Sequence, residues 1–165
     1  MGATESLIVQ RKNVKISKLG IPTPMDLHTG KTYGLSNPDI QVQAWIDDQR
    51  IKPGAGGRQG RFDWRCVVTV PSGGLQARAG GEFDFEAPAD GYQPSDQIAE
   101  SGTAPAWKGH VSREYFVKLS GSEYARISLT LHAGGDHFFS ITSYLNPIPE
   151  HRNLEYNPRQ QISAP

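Results

Sequence analysis

Tyr115 to Leu145, YFVKLSGSEYARISLTLHAGGDHFFSITSYL, reads as two consecutive β-hairpins, because apolar residues recur at every second position on either side of two glycine-bearing turns. In the second hairpin, Ala133-Gly134-Gly135-Asp136 separates Ile127, Leu129 and Leu131 from Phe139 and Ile141, and pairing has to keep both sets on one face. A two-residue loop at Gly134-Gly135 would set Leu131 opposite Phe138 and Leu129 opposite Ser140, mixing core with solvent. A three-residue loop of Ala133, Gly134 and Gly135, with Gly135 left-handed in a bulge, instead pairs Leu129 with Phe139 and Ile127 with Ile141. The same logic at Ser120-Gly121-Ser122-Glu123 pairs Val117 with Ile127 and Leu119 with Ala125. Three strands then share an apolar face, and the outward face carries Phe116, Lys118, Tyr124, Arg126, Ser128, Thr130 and Phe138.

Upstream, the alternation of Ile40, Val42, Ala44 and Ile46 against Gln41, Gln43 and Trp45 predicts a strand over Asp39 to Ile46, with Trp45 on its polar side. Phe62 to Val70 is the strongest central strand, followed through Pro71-Ser72-Gly73-Gly74 by Leu75 to Ala79 and then by Glu82 to Ala87 with Phe83 and Phe85 inward. Ser6 to Gln10 and Val14 to Lys18 read as two short strands around the basic turn Arg11-Lys12-Asn13. Gly20 to Asn37 and Ala87 to Gly109 read as irregular connections. The loop Asp47 to Arg61 holds PGAGGRQG, but no Lys-Ser/Thr or helix follows those glycines, so it is a surface loop and not a phosphate cradle.

Short strands, no helix and two long crossovers predict an all-β chain, a two-sheet antiparallel β-sandwich with long crossover loops; a partly open β-barrel is the alternative. A single domain over 1–156 with a loose tail at 157–165 suits the 165 residues, which are enough to bury a core without staples. The 17 basic and 17 acidic residues cancel, which disfavours nucleic acid or another polyanion as partner. No run reaches membrane-spanning length, so no membrane insertion is expected. The start, MGATESLIVQRK, lacks the pattern of a secretory signal. Cys66, alone of its kind, falls in the alternation Phe62, Trp64, Cys66, Val68, Val70 and is expected in the core.

GEFDFEAPADGYQP at Gly81 to Pro94 and SYLNPIPEHRNLEY at Ser143 to Tyr156 resemble segments of uncharacterised bacterial secreted or surface β-rich proteins, some with a carboxypeptidase regulatory-like sandwich upstream. The resemblance implies an extracellular or cell-surface accessory module and carries over no catalytic residue.

Residues able to do chemistry are sparse. His132, Asp136 and His137 have metal-ligand types, but in the expected register His132 faces outward opposite Asp136 while His137 points to the other face, which favours a hydrogen-bonded hairpin tip over a metal site. Glu82, Asp84 and Glu86 line one strand face at roughly 6.5 to 7 Å spacing, within reach of inverting glycosidase chemistry or of calcium, yet any outward acidic strand has that spacing. The histidines at 28, 110, 132, 137 and 151 are scattered, and no serine sits in a nucleophile elbow. No cofactor and no catalytic residue is therefore expected. The aromatics are the better clue: Trp45 by parity, Trp107 by its loop, and Phe116, Tyr124 and Phe138 by hairpin register are candidates for a solvent-facing ligand surface. Coverage of these rings by the 87–109 crossover is the competing reading. The expected function is a non-catalytic binding module that meets a glycan or a protein partner through an aromatic-bearing sheet face. A subunit that docks copies of itself and a small glycoside hydrolase using the strand carboxylates are the alternatives.

Overall fold

The computed structural model describes residues 6–47, 62–78, 85–134 and 137–155. Among the described residues nine strands follow one another: β1 (Ile8–Lys15), β2 (Thr23–Met25), β3 (Ile40–Ile46), β4 (Trp64–Thr69), β5 (Gly74–Ala77), β6 (Ser95–Glu100), β7 (His110–Lys118), β8 (Tyr124–His132) and β9 (Phe138–Asn146). They form two antiparallel sheets, one of five strands in the order β1-β9-β8-β7-β5 and one of four in the order β2-β3-β4-β6. The sheets are not closed into a barrel, and the chain is an all-β sandwich. Among the described residues no helix is long and apolar enough to cross a membrane.

The core follows from period-two alternation. Ile40, Val42, Ala44 and Ile46 of β3 and Trp64, Cys66 and Val68 of β4 are buried against Tyr115 and Val117 of β7, Ala125, Ile127, Leu129 and Leu131 of β8, and Phe139, Ile141 and Leu145 of β9. Cys66 is fully buried as expected, and burial together with the carboxylate of Asp96 pushes its thiol up to about 12. It is a packing residue and not a reactive thiol.

The hairpin faces are as read from the sequence, but both registers differ. The observed pairs are Val117 with Ala125 and Tyr115 with Ile127, then Leu131 with Phe139 and Leu129 with Ile141. Each register is shifted by two residues from the expected one, so every side chain keeps its face while its partner changes. The turns explain the shift. In the first, the Leu119 amide donates to the Glu123 carbonyl at 2.8 Å, and Ser122, not a glycine, takes the left-handed position at φ 60°. In the second, β8 and β9 stop at His132 and Phe138. The Ala133 amide is drawn to the Gly109 carbonyl at 2.8 Å, and the carbonyl of His137, itself at φ 51°, accepts from Ile16.

Other boundaries are corrected as well. Ile8–Lys15 is one continuous strand, not two short ones around a basic turn, because it runs the length of β9 from Ile8–Leu145 to Lys15–Phe138. The connection Gly20 to Asn37 contains β2, and the supposed crossover Ala87 to Gly109 contains β6, whose partner is the fully formed β4. In SDQIAE only Ile98 is a buried apolar residue, so the pattern that marks a strand is nearly absent there. Residues 82–84 of the expected strand and 48–61 of the expected loop lie outside the described residues, and at 85–87 the chain forms no strand but a single bridge from Glu86 to Asn153. Where it is described, Phe85 is not inward: it lies on the outer side of the five-stranded sheet beneath the guanidiniums of Arg78 and Arg126, at 5.5 and 5.0 Å.

Candidate functional site

The five aromatic candidates fall in four different settings. Phe116 and Tyr124 do face outward from the five-stranded sheet, but both are buried. Ala87, Tyr92 and Leu154 close over them as a second, smaller hydrophobic cluster. Two arms supply that cover and are tied to each other, the Ala87 amide donating to the Arg152 carbonyl and the Leu154 amide to the Phe85 carbonyl. Arg126 fastens them to the sheet, donating to the Leu154 carbonyl at 2.9 Å while its guanidinium lies 3.8 Å from the ring centre of Tyr144. These two rings are therefore a covered surface, which corrects their expected exposure.

Trp107 turns inward. Its Nε1 donates to the Phe62 carbonyl at 2.8 Å, and its ring meets Phe62 edge to face at 5.2 Å, so it caps one end of the core. Phe138 stays half-exposed at the uncovered end of the outer face, stacked on His132 at 4.3 Å with an interplanar angle of 14°; His132 in turn stacks on His110. Ring faces turned toward one another present edges to solvent. Burial and the neighbouring His110 hold the His132 imidazole below its usual range. His132 is paired with Phe138 and not opposite Asp136, which lies outside the described residues. Glu82 and Asp84 also lie outside them, while Glu86 is exposed and pairs with Arg152 at 3.2 Å.

Trp45 keeps its expected place on the outer face of the four-stranded sheet. The Arg65 guanidinium, from the directly opposed residue on β4, lies 3.7 Å from the centre of its ring. On the edge side, Gly20 at φ +82° lets the backbone approach the indole, where any Cβ would collide with Nε1 and Cε2. Among the described residues, this pair floors with Leu19 and Ala99 an open groove of about 570 Å³. Lys18, Asp47, Asp63 and Glu100 rim it. Leu19 is 74% exposed and Ile21, two residues on, 62% exposed, which extends the apolar strip along the sheet edge.

A fifth place holds residues that sequence reasoning missed. His28 sits in the tight turn after β2 with both ring nitrogens among carboxylates. Its Nε2 lies 3.0 and 3.1 Å from the two oxygens of Glu123, and its Nδ1 lies 3.3 Å from Asp39 Oδ2 and 3.4 Å from Asp26 Oδ1. The turn is built for this. Asp26 Oδ1 accepts from the His28 and Thr29 amides, Asp39 Oδ2 accepts from the Leu27 amide at 2.7 Å, and Glu123 arrives from the β7–β8 turn of the other sheet. Burial works against a charged His28 ring, but the Glu123 hydrogen bond and the carboxylates of Glu123, Asp39 and Asp26 outweigh it and raise its pKa. Burial, with Asp26 adding to it, raises that of Asp39. Asp26 and His28 are two residues apart, yet Glu123 is 95 residues from His28, and no local spacing reveals such a partner.

No protein-family model, no curated protein and no solved structure matches the chain.

Proposed function

We propose that this protein is a non-catalytic binding module that captures a protein segment in the groove floored by Trp45, Arg65 and Leu19. The observation that carries the reading is the pairing of an open apolar groove with a rim of both charges, a composition suited to a peptide's side chains and polar backbone. A protein partner is favoured over a glycan because the Arg65 guanidinium lies over the Trp45 ring, where a sugar would have to stack, and charges of both signs rim the groove. Placement outside the cytoplasm belongs to the same proposal and rests on the resemblance at 81–94 and 143–156.

Selection of a random-peptide display library on the purified chain tests this reading. Peptides competing for one site, with binding lost in both Leu19→Asp and Arg65→Glu, support it. An unenriched library sinks it, as does retention on insoluble polysaccharide that Phe138→Ala removes and Trp45→Ala leaves intact. That second result would move the site to the uncovered end of the other sheet. Mass that rises with protein concentration in light scattering would point instead to docking between copies.

A further inference from the structure

We infer that His28 Nδ1, Asp26 and Asp39 form a binding site for a divalent transition ion of borderline softness, with Glu123 orienting the imidazole from the opposite sheet. One imidazole nitrogen and one oxygen from each aspartate lie within 4.8 Å of one another, and all three residues are half-buried. Ligand atoms held tetrahedrally at about 2.0–2.1 Å from an ion stand roughly 3.3 Å apart. The two nitrogen-to-oxygen separations, 3.3 and 3.4 Å, already have that value. The aspartate oxygens lie within 4.8 Å of one another, and an ion would draw them together.

Charge supports the same assignment. Three carboxylates converge on one imidazole, and a proton on the ring supplies a single positive charge against them. A divalent ion at Nδ1 balances Asp26 and Asp39 and leaves the neutral ring to donate its Nε2 hydrogen to Glu123, which is the carboxylate–histidine–metal relay that fixes a ligand's tautomer. The mixed nitrogen and oxygen donor set fits zinc better than calcium or magnesium, which prefer oxygen alone. Asp26 and His28 lie between β2 and β3 and Glu123 between β7 and β8, so the ion would couple the two sheets.

The test is calorimetric and thermal titration of the chelator-stripped protein with equimolar Zn²⁺ at neutral pH. The expected result is one equivalent bound and a raised Tm, both lost in His28→Gln and in Asp39→Asn and both kept in the double variant His110→Gln/His132→Gln. Glu123→Gln should weaken binding about 10–100-fold without abolishing it. Mg²⁺ at the same concentration should leave Tm unchanged. Should the His28 or Asp39 variant fail to fold, the wild-type chain with Co²⁺ still decides, by the intense visible absorption of a tetrahedral nitrogen–oxygen site. No saturable binding, a weak octahedral cobalt spectrum, or zinc binding that survives His28→Gln overturns the assignment, and an unaltered Tm leaves the cluster as a protonated ion-pair clasp.

Discussion

The two sheets of this sandwich have outer faces of similar reading and opposite fate. On the five-stranded sheet, Phe116 and Tyr124 stand beside Lys118 and Arg126, and the arms around Ala87 and Leu154 close over them. On the four-stranded sheet, Trp45 stands beside Arg65 with the exposed Leu19 at its edge, and among the described residues a groove remains open there. An aromatic residue alternating with core positions looks the same in both places. Among the described residues, what separates them is whether a distant segment carries an apolar residue of its own to bring. Leu154 and Ala87 do so for the first face. The segment Lys18 to Ile21, which runs beside β3, turns Leu19 and Ile21 to solvent. A basic residue stacked on a ring is thus no sign of exposure, since it occurs under the arms and in the groove alike.

The sharpest way to break this comparison is to truncate one ring from each face. Phe116→Ala should cost about 3–5 kcal/mol, as for a large core side chain, measured by urea unfolding. A loss no greater than that of Trp45→Ala would mean that the arms do not pack as a core. Next in size, Leu154→Ala should cost about 2–4 kcal/mol and should also loosen the arms, so that limited proteolysis cuts near residues 147–155 before the sheets unfold. Uncut arms in a fully destabilised variant would contradict the separate small cluster. Trp45→Ala should cost only about 1 kcal/mol, because it removes a stacked guanidinium contact on a wet face.

The smallest effect concerns the clasp that joins the sheets. In chelator, the raised pKa of His28 means that its stabilising charge is fully present below about pH 6.5 and lost as pH rises through the folded-state value. Wild type should therefore lose its stability advantage over His28→Gln as pH climbs from about 6 to 8. Asp39, also raised, acts in the same direction at lower pH, since its ionisation in the folded state is the unfavourable step. A wild-type advantage that grows with pH in chelator would show that the carboxylates do not hold the proton on His28.

Much of the fold was legible because burial on one side of a sheet writes itself into alternate residues. Ile40 to Ile46, Phe62 to Val70 and the two hairpins all carry that signature, and all their faces are as expected. Register was not legible. A shift of two residues leaves alternation unchanged, so the pairing was settled by Ser122 and His137 adopting a left-handed backbone. β6 escaped notice for a related reason: the inward side of SDQIAE carries Asp96, which accepts from the buried Tyr115 hydroxyl at 2.7 Å where an apolar residue would be expected. The site was less legible than the fold. Five aromatics that share the alternation of outward positions or a loop are a buried pair, a core cap, a stacked edge and a groove floor.

Sequence alone determined that this chain is all-β, that Cys66 and its alternating neighbours are core, and that Trp45 points away from it. Side-chain direction has a period of two and is local, so those conclusions needed only neighbouring residues. That the sheets stay unclosed, a sandwich and not a barrel, was decided by tertiary structure. Tertiary structure alone decided which outward faces are wet and which are covered, and it alone brought Glu123 to His28 across 95 residues. Coverage and convergence depend on where remote segments end in space, and no local period encodes that.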